Sequence, residues 1–326
     1  MLAIVGYGEH VKKNILPALS RMGFSEVLIY SRSTENRESD YYDDILLIFS
    51  PSVESLASNN KVTHVYIATP ISCHYELIKF FVENKKNVLS EKTMTNSLSR
   101  TRELFELAKE MDTYLDEVCI YKHHKQYSEV LDFLNKNYDL IHRVNISFQI
   151  PHLDRKNIRY SLQHNGGALF DLGYYPLSIT RDMFRKAKLE YSNISKASGF
   201  DVDTKGTAIF SIDNIVINAN WALGSVYENK IEIYGEGFYA EVQRVFSKPY
   251  NLKTEIVYIE PGLDKVIMPI EPDDIFANIF CEFMEQTKLD ENKKINVLNR
   301  MATIEQVINL NEENSKKQNQ CSNANV

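Results

Sequence analysis

The residues whose types and spacing can do chemistry fall in three stretches. At 87–93 an apolar run ends in Ser-Glu-Lys-Thr, which places Glu91 and Lys92 just past a strand. In open α/β sheets ligands sit beyond the carboxyl ends of the strands, so a lysine there meets a bound substrate, whereas at the other end it would meet only water. Thr69 and Pro70 close the preceding apolar run in the same way. At 6–10, Gly6-Tyr7-Gly8-Glu9-His10 joins an apolar run to a helical pattern. The first glycine permits a tight turn, and the second lets the backbone approach a pyrophosphate held at the helix amino end. At 166–176, GGALFDLGYYP places Asp171 and Tyr175 four residues apart, on one face of a helix. Two polar side chains on an apolar face invite a functional reading. The alternative is that Asp171 caps a neighbour and Tyr175 is a core aromatic with its hydroxyl satisfied locally.

These residues need elements to hold them. Residues 2–5 read as a buried strand, followed by the glycine turn and a helix through Ile15, Leu16, Ala18, Leu19 and Met22; strand, glycine turn and helix is the context a dinucleotide fingerprint requires. Val11 takes the place of the third glycine, which implies a slightly wider helix spacing and leaves the phosphate site in place. A plain structural turn is the competing reading. A second strand over 27–30 ends at Ser31-Arg32-Ser33, where an NAD-binding chain carries an acid for the adenosine ribose. Serines and an arginine favour the 2′-phosphate of NADP, against a reading of Arg32 as a solvated surface residue. Residues 35–44 are polar and acidic and are expected to loop over the surface. A strand over 45–49, a βαβ unit over 62–95, a helix over 97–111 and a strand over 113–118 complete a first domain, 1–119.

Beyond it the pattern changes to alternating strands at 143–150, 207–212, 215–221 and 230–234, which suggest an antiparallel sheet. Helices are expected over 127–135, 167–185, 274–286 and 297–310. The second domain is therefore placed at 120–310, with a flexible polar tail at 311–326.

Bulk properties set limits. A net charge of -7 argues against nucleic acid as a main partner. No apolar stretch approaches the roughly 20 residues of a membrane span. The start lacks the basic segment and apolar core of a signal peptide, so a cytoplasmic protein is expected. Cys73, Cys119, Cys281 and Cys321 form no CxxC or Cys/His cluster, so no metal site or disulfide framework is expected.

Taken together, GYGEH, VYIATPISCHYELIKFFVENKKNVLSEK, GGALFDLGYYP and YENKIEIYGEGFYAEVQRVFS resemble, in order and spacing, the Gfo/Idh/MocA family of oxidoreductases. The resemblance implies an α/β chain with an N-terminal Rossmann domain and a C-terminal α/β domain on an open, mostly antiparallel sheet. It implies hydride transfer between a nicotinamide and a carbohydrate-like substrate. The lysine of the family's EKP motif, which contacts cofactor and substrate, matches Lys92, with Thr93 in place of proline. The D-x-G-x-Y motif matches Asp171, Gly173 and Tyr175, and Lys122-His123-His124-Lys125 aligns loosely with the family's Arg-Phe-His-Pro.

On this pattern Lys92, Tyr175 and Asp171 are the expected catalytic residues. Cofactor binding is expected from Gly6, Gly8, Glu9, His10, Ser31, Arg32, Ser33, Thr69, Pro70, His74, Glu91 and Lys92, and substrate binding from Lys92, Lys122, Asp171 and Tyr175. In ketone reduction a proton must reach the developing alkoxide, and Tyr175 can donate it; a phenol's ordinary pKa is about 10, and a Lys92 ammonium would ease its release. Asp171 can hold a sugar hydroxyl. The expected function is an NAD(P)-dependent oxidoreductase of a sugar or nucleotide-linked keto-sugar, with NADP(H) preferred to NAD(H). The alternatives are an NAD-dependent polyol or sugar dehydrogenase run oxidatively, and a catalytically silent dinucleotide-binding protein. A homo-oligomer, dimer or tetramer, is expected from the resemblance.

Overall fold

The computed structural model describes residues 1–34 and 37–323, with side chains as far as residue 317. It forms two compact units, one of Met1–His123 with Asp274–Leu298, the other of His124–Asp273 with the residues from Asn299 on.

In the first unit, β1 (Leu2–Val5) leads through the glycine turn into a π-type turn at Val11–Ile15 and α1 (Leu16–Arg21). There follow β2 (Glu26–Tyr30), β3 (Ser39–Tyr42), β4 (Ile45–Phe49), α2 (Val53–Ser58), β5 (His64–Ile67), α3 (Ile71–Glu83), β6 (Asn87–Ser90), α4 (Leu98–Glu110) and β7 (Leu115–Glu117). The sheet order is β3-β4-β2-β1-β5-β6-β7, parallel except for β3. The short strands β1 and β5 are buried along their whole length, as strands covered by helices on both faces must be. Strand order reverses direction between β1 and β5, which puts the ligand crevice beyond Val5 and Ile67.

In the second unit, α5 (Lys125–Lys136) and β8 (Ile141–Ile150) precede a long loop, a π-type turn at Leu169–Gly173 and α6 (Tyr174–Met183). The remaining strands are β9 (Lys188–Ser195), β10 (Lys205–Ile212), β11 (Ile215–Leu223), β12 (Glu228–Gly235), β13 (Phe238–Gln243), β14 (Thr254–Ile259) and β15 (Val266–Ile270). They pair as β15-β14-β13-β12-β8-β11-β10-β9, antiparallel everywhere except between β8 and β11. Strands β11, β12 and β13 alternate buried and less buried positions, as in β11 where Ile215, Ile217, Ala219, Trp221 and Leu223 face inward.

Several sequence expectations need correction. The polar stretch after Ser33 is no surface loop throughout: β3 pairs with β4 across a turn in which Asp43 has φ 48°, while Glu35 and Asn36 lie outside the described residues. The first unit does not close at 119. Residues 120–123 stay with it, and α7 (Ile275–Glu285) and the start of α8 (Glu291–Asn323) return to it. Burial explains the return: Phe280 stacks edge-on to Tyr66 at 5.1 Å, Phe283 to His64 at 5.0 Å, and Val297 joins the same core as Val65 and Phe81. The supposed flexible tail is helical to Asn323. Asn311 accepts the Ile194 N–H at 2.8 Å and Asn314 donates to Ser192 O at 3.1 Å, so amide side chains fasten it to the edge strand β9. Residues 324–326, also assigned to that tail, lie outside the described residues.

Candidate functional site

The glycine turn is built by close approach on one side and open space on the other. Gly6 has φ +107°, in a region L side chains rarely adopt, and a Cβ placed on it would fall 2.6 Å from Ala68 O, just past β5. Its N–H donates to Tyr30 O at 2.8 Å. A Cβ on Gly8 would meet nothing within 4 Å. The Thr69 hydroxyl oxygen, across the same crevice, is buried without a hydrogen-bond partner among the described residues. An open backbone cradle at a helix start with an orphaned hydroxyl opposite fits a pyrophosphate.

The end of β2 is equally well defined. Ser31 and Ser33 hydroxyls stand 3.0 Å apart, Thr34 donates its hydroxyl to Ser31 O at 2.8 Å, and Arg32 is exposed. Residues 31–34 carry no acid. Beside them the Tyr7 ring packs on Phe49 at 5.6 Å, with the Arg37 guanidinium over Phe49 at 4.7 Å and Lys12 over Tyr7 at 4.9 Å. Glu9 points its carboxylate to solvent and pairs with Lys13 at 2.9 Å, so only its backbone is available to an anion.

Glu91 is the centre of a buried network. Its Oε1 accepts from the Tyr66 hydroxyl at 2.6 Å and lies 3.1 Å from His10 Nε2, while Asn14 Nδ2 stands 3.0 Å from His10 Nδ1. That pattern fits the tautomer in which Nδ1 accepts from the amide and Nε2–H donates to the carboxylate. Burial pushes the Glu91 carboxyl up, but its interactions with His10, the Tyr66 hydroxyl and the Lys92 ammonium outweigh it and hold it at about 2. A carboxylate thus ties the start of the glycine-turn helix to the strand end that carries Lys92.

His74 proves to be a brace. It is fully buried, with Nδ1 2.9 Å from Thr93 O and Nε2 2.8 Å from Thr69 O. The ring therefore spans the loops after β5 and β6 and presents no atom to a cofactor. Burial keeps its pKa below the ordinary histidine value despite the two carbonyls. The Lys92–Thr93 peptide bond is cis. Pro70 is the N-cap of α3. Lys122 sits in the short helix Ile120–His123, part-buried, in the first unit and not the second.

The second unit brings Asp171, Gly173 and Tyr175 onto one helix. A Cβ on Gly173 would fall 2.9 Å from the Trp221 indole, and one on Gly206 would fall 2.3 Å from it, so the glycine of this motif lets the helix backbone rest on the tryptophan. Tyr175 is almost buried, its ring within 5.2 Å of Phe148 and 5.4 Å of Phe246 and of Tyr174. Asp171 is no cap: its carboxylate is ion-paired with Arg159 Nε. The cap is Asp203, whose Oδ2 accepts the Leu169 N–H at 2.7 Å. Burial pushes the Asp203 carboxyl up to about 6 against the backbone N–H groups of Leu169 and Ala168. Both helices expected to carry function begin with a π-type turn, a feature frequent at functional sites.

Sequence reasoning missed Tyr66, Arg37, Lys12, Asp203 and Arg159. Only the cations left a trace, as positive residues after the glycine turn, in the segment between β2 and β3 and inside the loop before α6. Among the described residues no group of His, Cys, Asp or Glu could hold a metal ion, and no helix is long and apolar enough to cross a membrane.

Comparison with known proteins gives concordant results. Residues 1–117 match the family model described as an oxidoreductase family with an NAD-binding Rossmann fold, and residues 140–240 match the Gfo/Idh/MocA C-terminal domain. A dTDP-3,4-didehydro-2,6-dideoxy-alpha-D-glucose 3-reductase of Actinomadura kijaniata is 26% identical, covering 90% of this chain and 89% of its own. An NADP(+) scyllo-inositol 2-dehydrogenase of Bacillus subtilis is 24% identical over 89% of this chain and 90% of its own. The crystal structure of a 3-ketoreductase from Actinomadura kijaniata, in complex with NADP and TDP-benzene, superposes with a TM-score of 0.84 at 22% identity, covering 95% of this chain and 97% of that one. That likeness is one of fold.

Proposed function

Because the chain belongs to the Gfo/Idh/MocA family of oxidoreductases, we propose that it transfers hydride between NADP(H) and a sugar and, more narrowly, that it reduces the ketone of a nucleotide-linked keto-sugar. The observation that carries the reading is the cradle at Gly8, open to a pyrophosphate and followed at the end of β2 by Ser31-Arg32-Ser33 with no acid. The serines and guanidinium suit a 2′-phosphate, and the missing carboxylate removes the group that would repel one. The 3-reductase of Actinomadura kijaniata and the NADP(+) inositol dehydrogenase support the cofactor and the carbohydrate class.

When bound, the nicotinamide supplies the hydride. The residues of the chain do the rest. The Tyr175 Oη gives its proton to the carbonyl oxygen as negative charge develops there. Its ring, enclosed by Phe148, Tyr174 and Phe246, is held in one orientation and screened from bulk water. The Lys92 ammonium favours the phenolate left behind and the growing alkoxide. Glu91 fixes the strand end from which Lys92 projects, through its bonds to His10 and Tyr66. Asp171, held by Arg159, orients the sugar.

The test is a fluorescence titration with NADPH and NADH on the wild-type protein and Arg32→Ala. Tighter binding of NADPH, with that preference lost in the variant, is expected. Binding of neither nucleotide would overturn the reading.

A further inference from the structure

The loop between β8 and α6 concentrates positive charge in a chain of net charge -7: residues 151–164 carry Arg155, Lys156 and Arg159 against one carboxylate, Asp154. Arg155 serves the fold, lying 4.3 Å over the Phe200 ring and donating to Gly199 O at 2.9 Å. Arg159 is arranged differently. Its carbonyl oxygen accepts the Gly167 N–H at 2.8 Å, and a Cβ on Gly166 would fall 2.5 Å from that same oxygen. The Gly-Gly turn that starts the helix of Asp171 and Tyr175 is therefore built against Arg159. Its side chain engages Asp171 through Nε alone. Nη1 and Nη2 have no hydrogen-bond partner among the described residues, and 43% of the side chain is open to solvent. An arginine kept only to anchor a carboxylate would be expected to use its two-donor fork. Here the fork is left over.

We propose that Arg159 determines substrate specificity: Asp171 pins the guanidinium through Nε, and the Nη1–Nη2 edge takes a pair of anionic oxygens on the substrate, so that the site selects sugars bearing a diphosphate or a carboxylate over neutral sugars. The proposal rests on the reading of Asp171 and Tyr175 as the substrate-facing pair. Asp171 and Tyr175 are four residues apart on the same helix, so the arginine that pairs with Asp171 stands at the end of the helix that carries the pair. The Asp171 carboxylate offsets part of its charge, so recognition depends on the planar two-donor geometry more than on net charge. A lysine, which keeps the charge and loses the fork, should fail.

The experiment is calorimetric titration of the NADPH-loaded full-length protein with thymidine diphosphate, D-glucuronate and D-glucose. It compares wild type, Arg159→Gln and Arg159→Lys, with thermal unfolding of each. At least one anion is expected to saturate the wild type and to bind about ten- to a hundredfold more weakly in both variants, with no saturation by glucose. Thymidine diphosphate alone assigns a diphosphate, and glucuronate alone a sugar carboxylate. Unchanged anion affinity in the variants, or no binding of either anion to the wild type, overturns the proposal. If Arg159→Gln unfolds early, Arg159→Lys decides by the same criterion. Full turnover in Tyr175→Phe would remove the catalytic reading and leave this titration standing, whereas lost turnover there with unchanged anion affinity in the Arg159 variants would remove only this inference.

Discussion

Replacing Glu91 by Gln removes one charge and almost no volume, so the effect isolates the electrostatics of the network. Two donors, His10 Nε2 and the Tyr66 hydroxyl, converge on the same carboxylate oxygen at 3.1 and 2.6 Å. Hydrogen bonds to a charged group are worth roughly 1.5 to 3 kcal/mol each, and the carboxyl's descent from 4.5 to about 2 against its own burial corresponds to about 3 kcal/mol. A loss of about 2 to 3 kcal/mol is therefore expected at neutral pH. The sign follows from the lowered native pKa. The stabilisation is fully present above the unfolded value of 4.5 and is lost as pH falls through about 2, so the gap between wild type and variant should close in acid. The lone tryptophan, Trp221, belongs to the second unit, so its fluorescence is the wrong probe. Native-state hydrogen exchange of the β1, β5 and β6 amides, at about pH 7 and about pH 3, reads the change where it occurs. Equal protection in both proteins at neutral pH, or a gap that does not vary with pH, would refute the reasoning.

The two glycines of the turn should separate folding from binding. Gly6→Ala forces a Cβ against Ala68 O at a φ of +107° and should cost about 1 to 3 kcal/mol of stability, read by urea unfolding of the first unit. Gly8→Ala meets nothing in the fold; it should leave stability unchanged within about 0.5 kcal/mol and weaken NADPH in a titration. In the second unit, Asp203→Ala removes the cap of the Asp171–Tyr175 helix and should cost about 0.5 to 2 kcal/mol. Asp203→Asn keeps an acceptor for the Leu169 N–H and removes a buried charge. Because the native carboxyl sits at about 6, above its ordinary 3.8, wild type is favoured below about pH 4 and loses that advantage as pH rises through 6. Asn should therefore gain on wild type between those values in urea titrations followed by Trp221 fluorescence.

What the sequence made legible were the local patterns. The Gly6-x-Gly8 turn, the SRS end of β2 and the Asp171–Tyr175 spacing each reside in a few consecutive residues whose geometry is dictated by the element that holds them. The return of α7 and the start of α8 to the first unit was not legible, since an amphipathic helix shows that it buries a face and not which sheet it buries it against. β3 was masked by its polarity: an edge strand with acidic and tyrosyl side chains reads as a loop. The bracing of His74 was not legible, because its two carbonyl partners are backbone atoms that leave no mark in the side-chain pattern. Arg159 was out of reach because its pairing with Asp171 spans an irregular loop, where no period relates residue number to direction.

Turnover tests the central claim most directly. NADPH consumption would be followed with a dTDP-linked 3-keto-sugar, in wild type, Tyr175→Phe and Lys92→Ala. The account predicts turnover in wild type and a loss of about a hundredfold or more in each variant with NADPH binding retained in Tyr175→Phe. Wild-type turnover that persists undiminished in both variants would contradict it.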